Sequence, residues 1–129
     1  MREEAEKWFK QALEDLQTAR DTIPTGHYYA AVFWAEQSAE KALITKLLEA
    51  GRPVRTHDLN EILDVLKQEL DLPVEEIRQD AAKLTVHYTV SRYPDAANSI
   101  PYTLYTKENA EEMVRRAERV VEWVRRNLR

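Results

Sequence analysis

This chain predicts an all-α fold: an antiparallel up-and-down four-helix bundle with an additional short helix. Three observations carry that reading. Apolar residues recur at helical spacing along most of the 129 residues. The hairpin dipeptides Asn-Gly, Asp-Gly and Gly-Gly are missing, and only two glycines are present to supply positive φ. Hydrophobic residues make up 43% and charged residues 33%, which suits one core in a single domain over 1–129 and is too apolar for a disordered chain.

The first helix is expected from Glu3 to Thr22, with Ala5, Trp8, Phe9, Ala12, Leu13, Leu16 and Ala19 at helical spacing, and Pro24-Thr25-Gly26 breaks it. The second is expected from His27 to Ala50, stopped by Gly51. Thr56 reads as the N-cap of a shorter third helix bearing Leu59, Ile62, Leu63 and Leu66. A fourth is expected from Pro73, carrying Val74, Ile77, Ala81, Leu84 and Tyr88. The segment from Pro94 to Tyr105 has two prolines and no strong period, so it reads as a loop. Thr106 caps the last helix, whose stripe runs from Ala110 through Met113, Val114, Ala117, Val120, Val121 and Val124 to Leu128. Its opposite face sets Glu111, Glu112 and Glu122 four residues before Arg115, Arg116 and Arg126, which predicts a solvated, salt-bridged surface. A basic docking strip of Arg115, Arg119 and Arg126 is the sharper alternative, weakened by the interleaved glutamates.

The second helix carries an apolar excess. Phe33, Ile44 and Leu48 fall roughly opposite Tyr28 on a helical wheel. A helix apolar on two faces is either central or part of an interface. No helix need be surrounded in so small a bundle, which points to a symmetric homodimer joined through these residues; the alternative is that the third helix covers them.

Several chemistries are excluded or disfavoured. There is no cysteine, hence no disulfide, thiolate nucleophile or cysteine-held zinc. No apolar leader follows Met1 and no stretch reaches membrane-spanning length, so a cytoplasmic protein without membrane contact is expected. Net charge is −4, which provides no global basic field for nucleic acid. His27, His57 and His87 have no second ligand at a metal spacing, and neither a metal nor a cofactor is expected. A structural role is the simplest for His57, beside the start of a helix, and for His87. Ser38 reads as a small packing residue. No phosphate-binding glycine loop or nucleophile elbow is present.

What remains is Tyr88-Thr89-Val90-Ser91-Arg92-Tyr93-Pro94-Asp95. One arginine lies between two tyrosines where a helix ends and proline forces the chain out of helical geometry. A guanidinium held there can meet a phosphate or carboxylate with a fixed fork of donors. The expected nucleotide- or partner-binding residues are Arg92, Tyr88, Tyr93 and Asp95, with Arg92, His87 and His57 as candidates for any catalysis. The plainer alternative is that Arg92 pairs with Asp95 or a helix C-terminus while the tyrosines fill the end of the core.

Along nearly its whole length the chain resembles the HEPN domain family, small helical bundles of prokaryotes and higher eukaryotes. The resemblance rests on Trp8 with Ala12-Leu13-Glu14-Asp15-Leu16, on Gly26-His27-Tyr28-Tyr29-Ala30-Ala31 leading to Glu36-Gln37-Ser38-Ala39-Glu40-Lys41-Ala42-Leu43, on Thr56-His57-Asp58-Leu59, and on Tyr88 through Arg92-Tyr93-Pro94-Asp95. It implies a dimerising bundle of four or five helices. It also implies a minimal nucleotidyltransferase as partner, in the manner of prokaryotic toxin–antitoxin pairs. Active members are metal-independent ribonucleases with a histidine four to six residues beyond an arginine. Here those places hold Ala97, Asn98 and Ser99, none of which is a base near neutral pH. Only Arg92 carries over, as a phosphate-orienting group. The expectation is a non-catalytic module that binds a nucleotide, RNA or the nucleotidyltransferase chain. The alternative is an endoribonuclease toxin with a shifted catalytic set, drawing its base from His57 or His87.

Overall fold

The computed structural model describes residues 2–128, and every regular element among them is helical. In chain order these are α1 (Glu3–Thr22), α2 (Tyr28–Glu49), α3 (Leu59–Leu70), α4 (Arg78–Thr85), α5 (His87–Val90), α6 (Pro94–Ala97) and α7 (Lys107–Arg126). Short 3-10 turns occupy Ile23–Thr25, Val74–Glu76 and Pro101–Leu104. The three long helices α1, α2 and α7 pack on one another, and α3 with α4 and α5 completes the bundle.

Local chemistry sets most boundaries. Glu3, Glu4 and Glu6 sit in the first turn of α1, where the helix dipole favours acids. Gly26, at φ 83, turns the chain into α2. Gly51, at φ 72, ends α2 by letting the Arg52 N–H turn back to the Leu47 carbonyl at 2.9 Å. At α7 Thr106 and Asn109 form a reciprocal capping box.

Three expectations need correction. The N-cap of α3 is Asp58, not Thr56: the Asp58 side chain accepts from the Asn60 N–H at 2.9 Å, while Thr56 Oγ1 accepts from the Asp58 N–H. A further first-turn donor, Leu59 N–H, is taken up by Thr85 Oγ1 from α4 at 3.0 Å, so this start is partly fixed by tertiary contact. The fourth helix does not begin at Pro73. A 3-10 turn comes first, and Ile77, at φ −122 and ψ 7, departs from helical geometry while its side chain is buried. The Pro94–Tyr105 segment is not a plain loop, because it folds into α6 and a 3-10 turn, each with proline in its first turn.

The apolar excess on α2 has an explanation within the chain. This helix is central, packed by α1, α3, α4, α5 and α7. Ile44 is only 1% exposed and belongs to the chain's own core, which removes it from any open subunit face. Leu48 is half-buried against that core, and Phe33 is half-buried.

The polar face of α7 is also less open than its pattern suggests. Arg116 does pair with Glu112, at 2.9 Å, but it also reaches the buried Asp80 of α4 at 3.0 Å. Arg119 joins the same carboxylate at 2.8 Å. Glu122 pairs with Arg125 rather than Arg126. Trp123, outside the predicted stripe, is fully buried and donates to the Pro73 carbonyl at 3.2 Å.

Candidate functional site

Arg92 follows the single turn of α5, and its backbone N–H donates to the Thr89 carbonyl of that turn at 3.0 Å. Its Nε and Nη2 both donate to the Tyr88 carbonyl, at 2.8 and 2.6 Å, and Nη1 donates to Tyr93 Oη at 3.3 Å. Those bonds use three of the five guanidinium N–H groups; the other two have no acceptor among the described residues. Three rings surround the guanidinium carbon: Phe33 of α2 at 4.6 Å, Tyr93 at 4.7 Å and Tyr88 at 4.8 Å. The plainer alternative holds in part: Arg92 pairs with a carbonyl at a helix C-terminus, though not with Asp95, and it is only half-buried with two N–H groups unused.

On one side Arg92 opens onto a cleft of about 380 Å³, lined also by His27, Tyr29, Ser91, Pro101 and Tyr102. Ser91 is fixed by donating to the His87 carbonyl at 2.6 Å. Tyr102 is 65% exposed, so an aromatic face stands free at the rim.

On the other side, Tyr88 stacks on His57 with ring centroids 4.4 Å apart and planes 12° from parallel. Nδ1 of His57 lies 2.8 Å from Oε2 of Glu40, a buried carboxyl of α2. Glu36, one turn earlier on the same face of α2, is fully buried. Burial first, and then the Glu40 charge, raise the Glu36 pKa from 4.5 to about 9, with Gln37 and Arg92 pulling the other way. Phe33, Glu36 and Glu40 fall at the three- and four-residue spacing that places side chains on one helix face.

The structure therefore groups Arg92, Tyr88, Tyr93 and His57 as expected candidates, and adds Phe33, Glu36 and Glu40. It leaves two candidates out. His87 points to Tyr105, its Nδ1 2.7 Å from the phenol oxygen, and lines a different cavity with Val90, Leu104 and Met113. Burial lowers its pKa from 6.5, against a raising pull from Glu112. Asp95 is exposed in α6 and forms no ion pair with Arg92 among the described residues. The positions where the resemblance would require histidine end α6: Asn98 is left-handed at φ 51, and Ser99 donates its backbone N–H to the Pro94 carbonyl.

Helical order and the Arg92 corner together define a HEPN-type bundle, and comparison with known proteins agrees. The HEPN domain model matches residues 5–127, and the chain belongs to that family. A protein of Methanocaldococcus jannaschii named "Putative toxin MJ1304" is 31% identical, over 94% of this chain and 86% of its own. Among solved structures, TT1696 from Thermus thermophilus superposes with a TM-score of 0.90 at 32% identity, covering 98% of this chain and all of its own. ST0689, an archaeal HEPN homologue, superposes at 0.81 with 35% identity and full coverage of both chains.

Proposed function

We propose that this HEPN chain is a phosphate-reading module: it binds a nucleotide or the end of an RNA at Arg92 and acts together with a minimal nucleotidyltransferase, without catalysis of its own. The observation that carries the reading is the guanidinium in its aromatic box, with two N–H groups unused, on a residue that also lines a cleft with Tyr29 and Tyr102. A charged fork supplies the phosphate contact, and a free aromatic face supplies base stacking. Asn98 and Ser99, where active relatives need histidine, favour binding over cleavage. Homodimerisation fits the family and is part of the proposal, with Phe33 and Leu48 the members of the expected face that keep some exposure.

Calorimetric titration with a mononucleotide, and with its nucleoside as control, tests this reading. Arg92→Ala should weaken binding at least about tenfold, roughly 1.4 kcal/mol, and Arg92→Lys should recover little, because an ammonium cannot reproduce the fork. Equal affinity in wild type and Arg92→Ala would refute it.

One observation favours the ribonuclease alternative. An imidazole oriented by a buried carboxylate lies one ring away from Arg92, and that pairing is the form a general base takes. RNA cleavage that persists in chelator and is lost in both Arg92→Ala and His57→Ala would replace the binding reading with this one. The name of the Methanocaldococcus jannaschii relative is in keeping with a toxin role.

A further inference from the structure

Two oxygen atoms in the interior accept no hydrogen bond from a conventional donor among the described residues: Oε2 of Glu36 and Oε1 of Glu40. Both belong to buried carboxyl groups that lie one turn apart on one face of α2. Their second oxygens are engaged. Glu36 Oε1 accepts from Gln37 Nε2 at 2.9 Å, and Glu40 Oε2 faces His57 Nδ1 at 2.8 Å. Two carboxylates offer only lone pairs to each other, so an unprotonated pair would leave both oxygens unsatisfied in a buried place. One proton between them turns one oxygen into a donor and satisfies both at once. With Glu40 holding its other oxygen toward Nδ1, the imidazole must donate from that nitrogen.

We propose that Glu36 and Glu40 share one proton and act together as positioning residues, fixing His57 as the Nδ1–H tautomer so that Nε2 faces solvent as the proton acceptor of the Arg92 site. The groups around the pair agree with this assignment. Gln37 donates to Glu36; the Arg92 guanidinium acts on Glu36 electrostatically and sits against Phe33 of the same helix; Tyr88 fixes the ring plane of His57 by stacking. Nε2 has no partner among the described residues, and the His57 side chain is 58% exposed. A ligand meeting this surface finds a donor fork at Arg92 and a lone pair at His57. That combination suits a ribose phosphate, with its anionic oxygens on the guanidinium and a ribose hydroxyl donating to Nε2. This ligand assignment rests on the reading of Arg92 as a phosphate contact; the tautomer and the shared proton do not.

The test is NMR of protein labelled with nitrogen-15 in histidine and carbon-13 in the glutamate side chains, with His27→Gln and His87→Gln used for assignment. In neutral His57, Nδ1 should show a protonated-nitrogen shift and Nε2 an unprotonated one, and near pH 7 Glu36 should show the carbon shift of a neutral acid. Glu36→Gln should keep the tautomer, because its amide N–H replaces the acid O–H, whereas Glu40→Ala should release it. An Nε2–H tautomer in the wild type, or two ionised carboxyl groups at pH 7, would overturn the proposal even if Glu40→Ala fails to fold. Adenosine 3′-monophosphate added to the same sample should shift His57 Nε2, and adenosine should not. If the tautomer holds but neither compound moves His57, the ligand assignment falls and the positioning role stands.

Discussion

Glu36 is the residue whose surroundings set a pH dependence for the whole chain. Burial and the Glu40 charge hold its pKa at about 9 in the folded protein, against an ordinary value of 4.5. Below the ordinary value the folded and unfolded chains both keep the proton, and the pair contributes its full stability. As pH rises from 4.5 toward 9, only the unfolded chain gives the proton up, so stability falls. Above that range both states are ionised and the loss ends. Glu36→Gln carries a donor that cannot ionise, so the variant should lack this fall over the window. In urea unfolding the variant should match wild type near about pH 4 and exceed it by more than about 1 kcal/mol near about pH 8. A gap of the same size at both pH values would show that Glu36 is already ionised in the fold.

Between elements, a buried polar tie joins α4 to α7. Asp80 is 5% exposed and receives both Arg116 and Arg119. Removing the buried carboxylate leaves Arg116, the less exposed of the two guanidinium groups, with Glu112 as its one remaining ion-pair partner. Asp80→Ala is therefore expected to cost ~2–4 kcal/mol, a fall in Tm of about 10 °C. Glu122→Ala, at an exposed pair with Arg125, should cost less than ~0.5 kcal/mol. Thermal melts of the two variants check the contrast, and equal small shifts would refute it. The same elements show how far the sequence could be read. Helix α1 has the bounds its periodicity predicts, and α7 begins at the cap that Thr106 announces, because apolar spacing and capping are local signals. The start of α3 and the break at Ile77 depend on Thr85 and on burial in the core, which no local window contains. At the site, Arg92 with its two tyrosines was legible from the helix-ending proline. Glu36 and Glu40 were not, since acids on a helix usually mean a solvated surface. The available signal was the wheel that sets Phe33 opposite Tyr28: both acids follow on the Phe33 side of a helix with apolar residues on two faces.

For the molecule as a whole, net charge decides what kind of nucleic-acid affinity is possible. At −4, the chain repels a polyanion at a distance, and nothing like a basic stripe offsets that. Of the arginines that could have formed one on α7, Arg119 is engaged by Asp80, while Arg115 and Arg126 are exposed among interleaved glutamates. On the proposed reading the RNA contact is Arg92, where two N–H groups remain for a phosphate. A protein that neutralises one phosphate of a single strand releases little condensed counterion, so its affinity should fall only gently with salt. Titration of a short single-stranded RNA across a range of potassium chloride concentrations should give a slope of log K against log salt of about −0.7. Arg92→Ala should bring that slope toward zero together with the affinity. A slope of about −4 or steeper would mean that several cations engage the strand, and the contact would then extend over a surface that only an assembly of chains, or a basic partner, could supply.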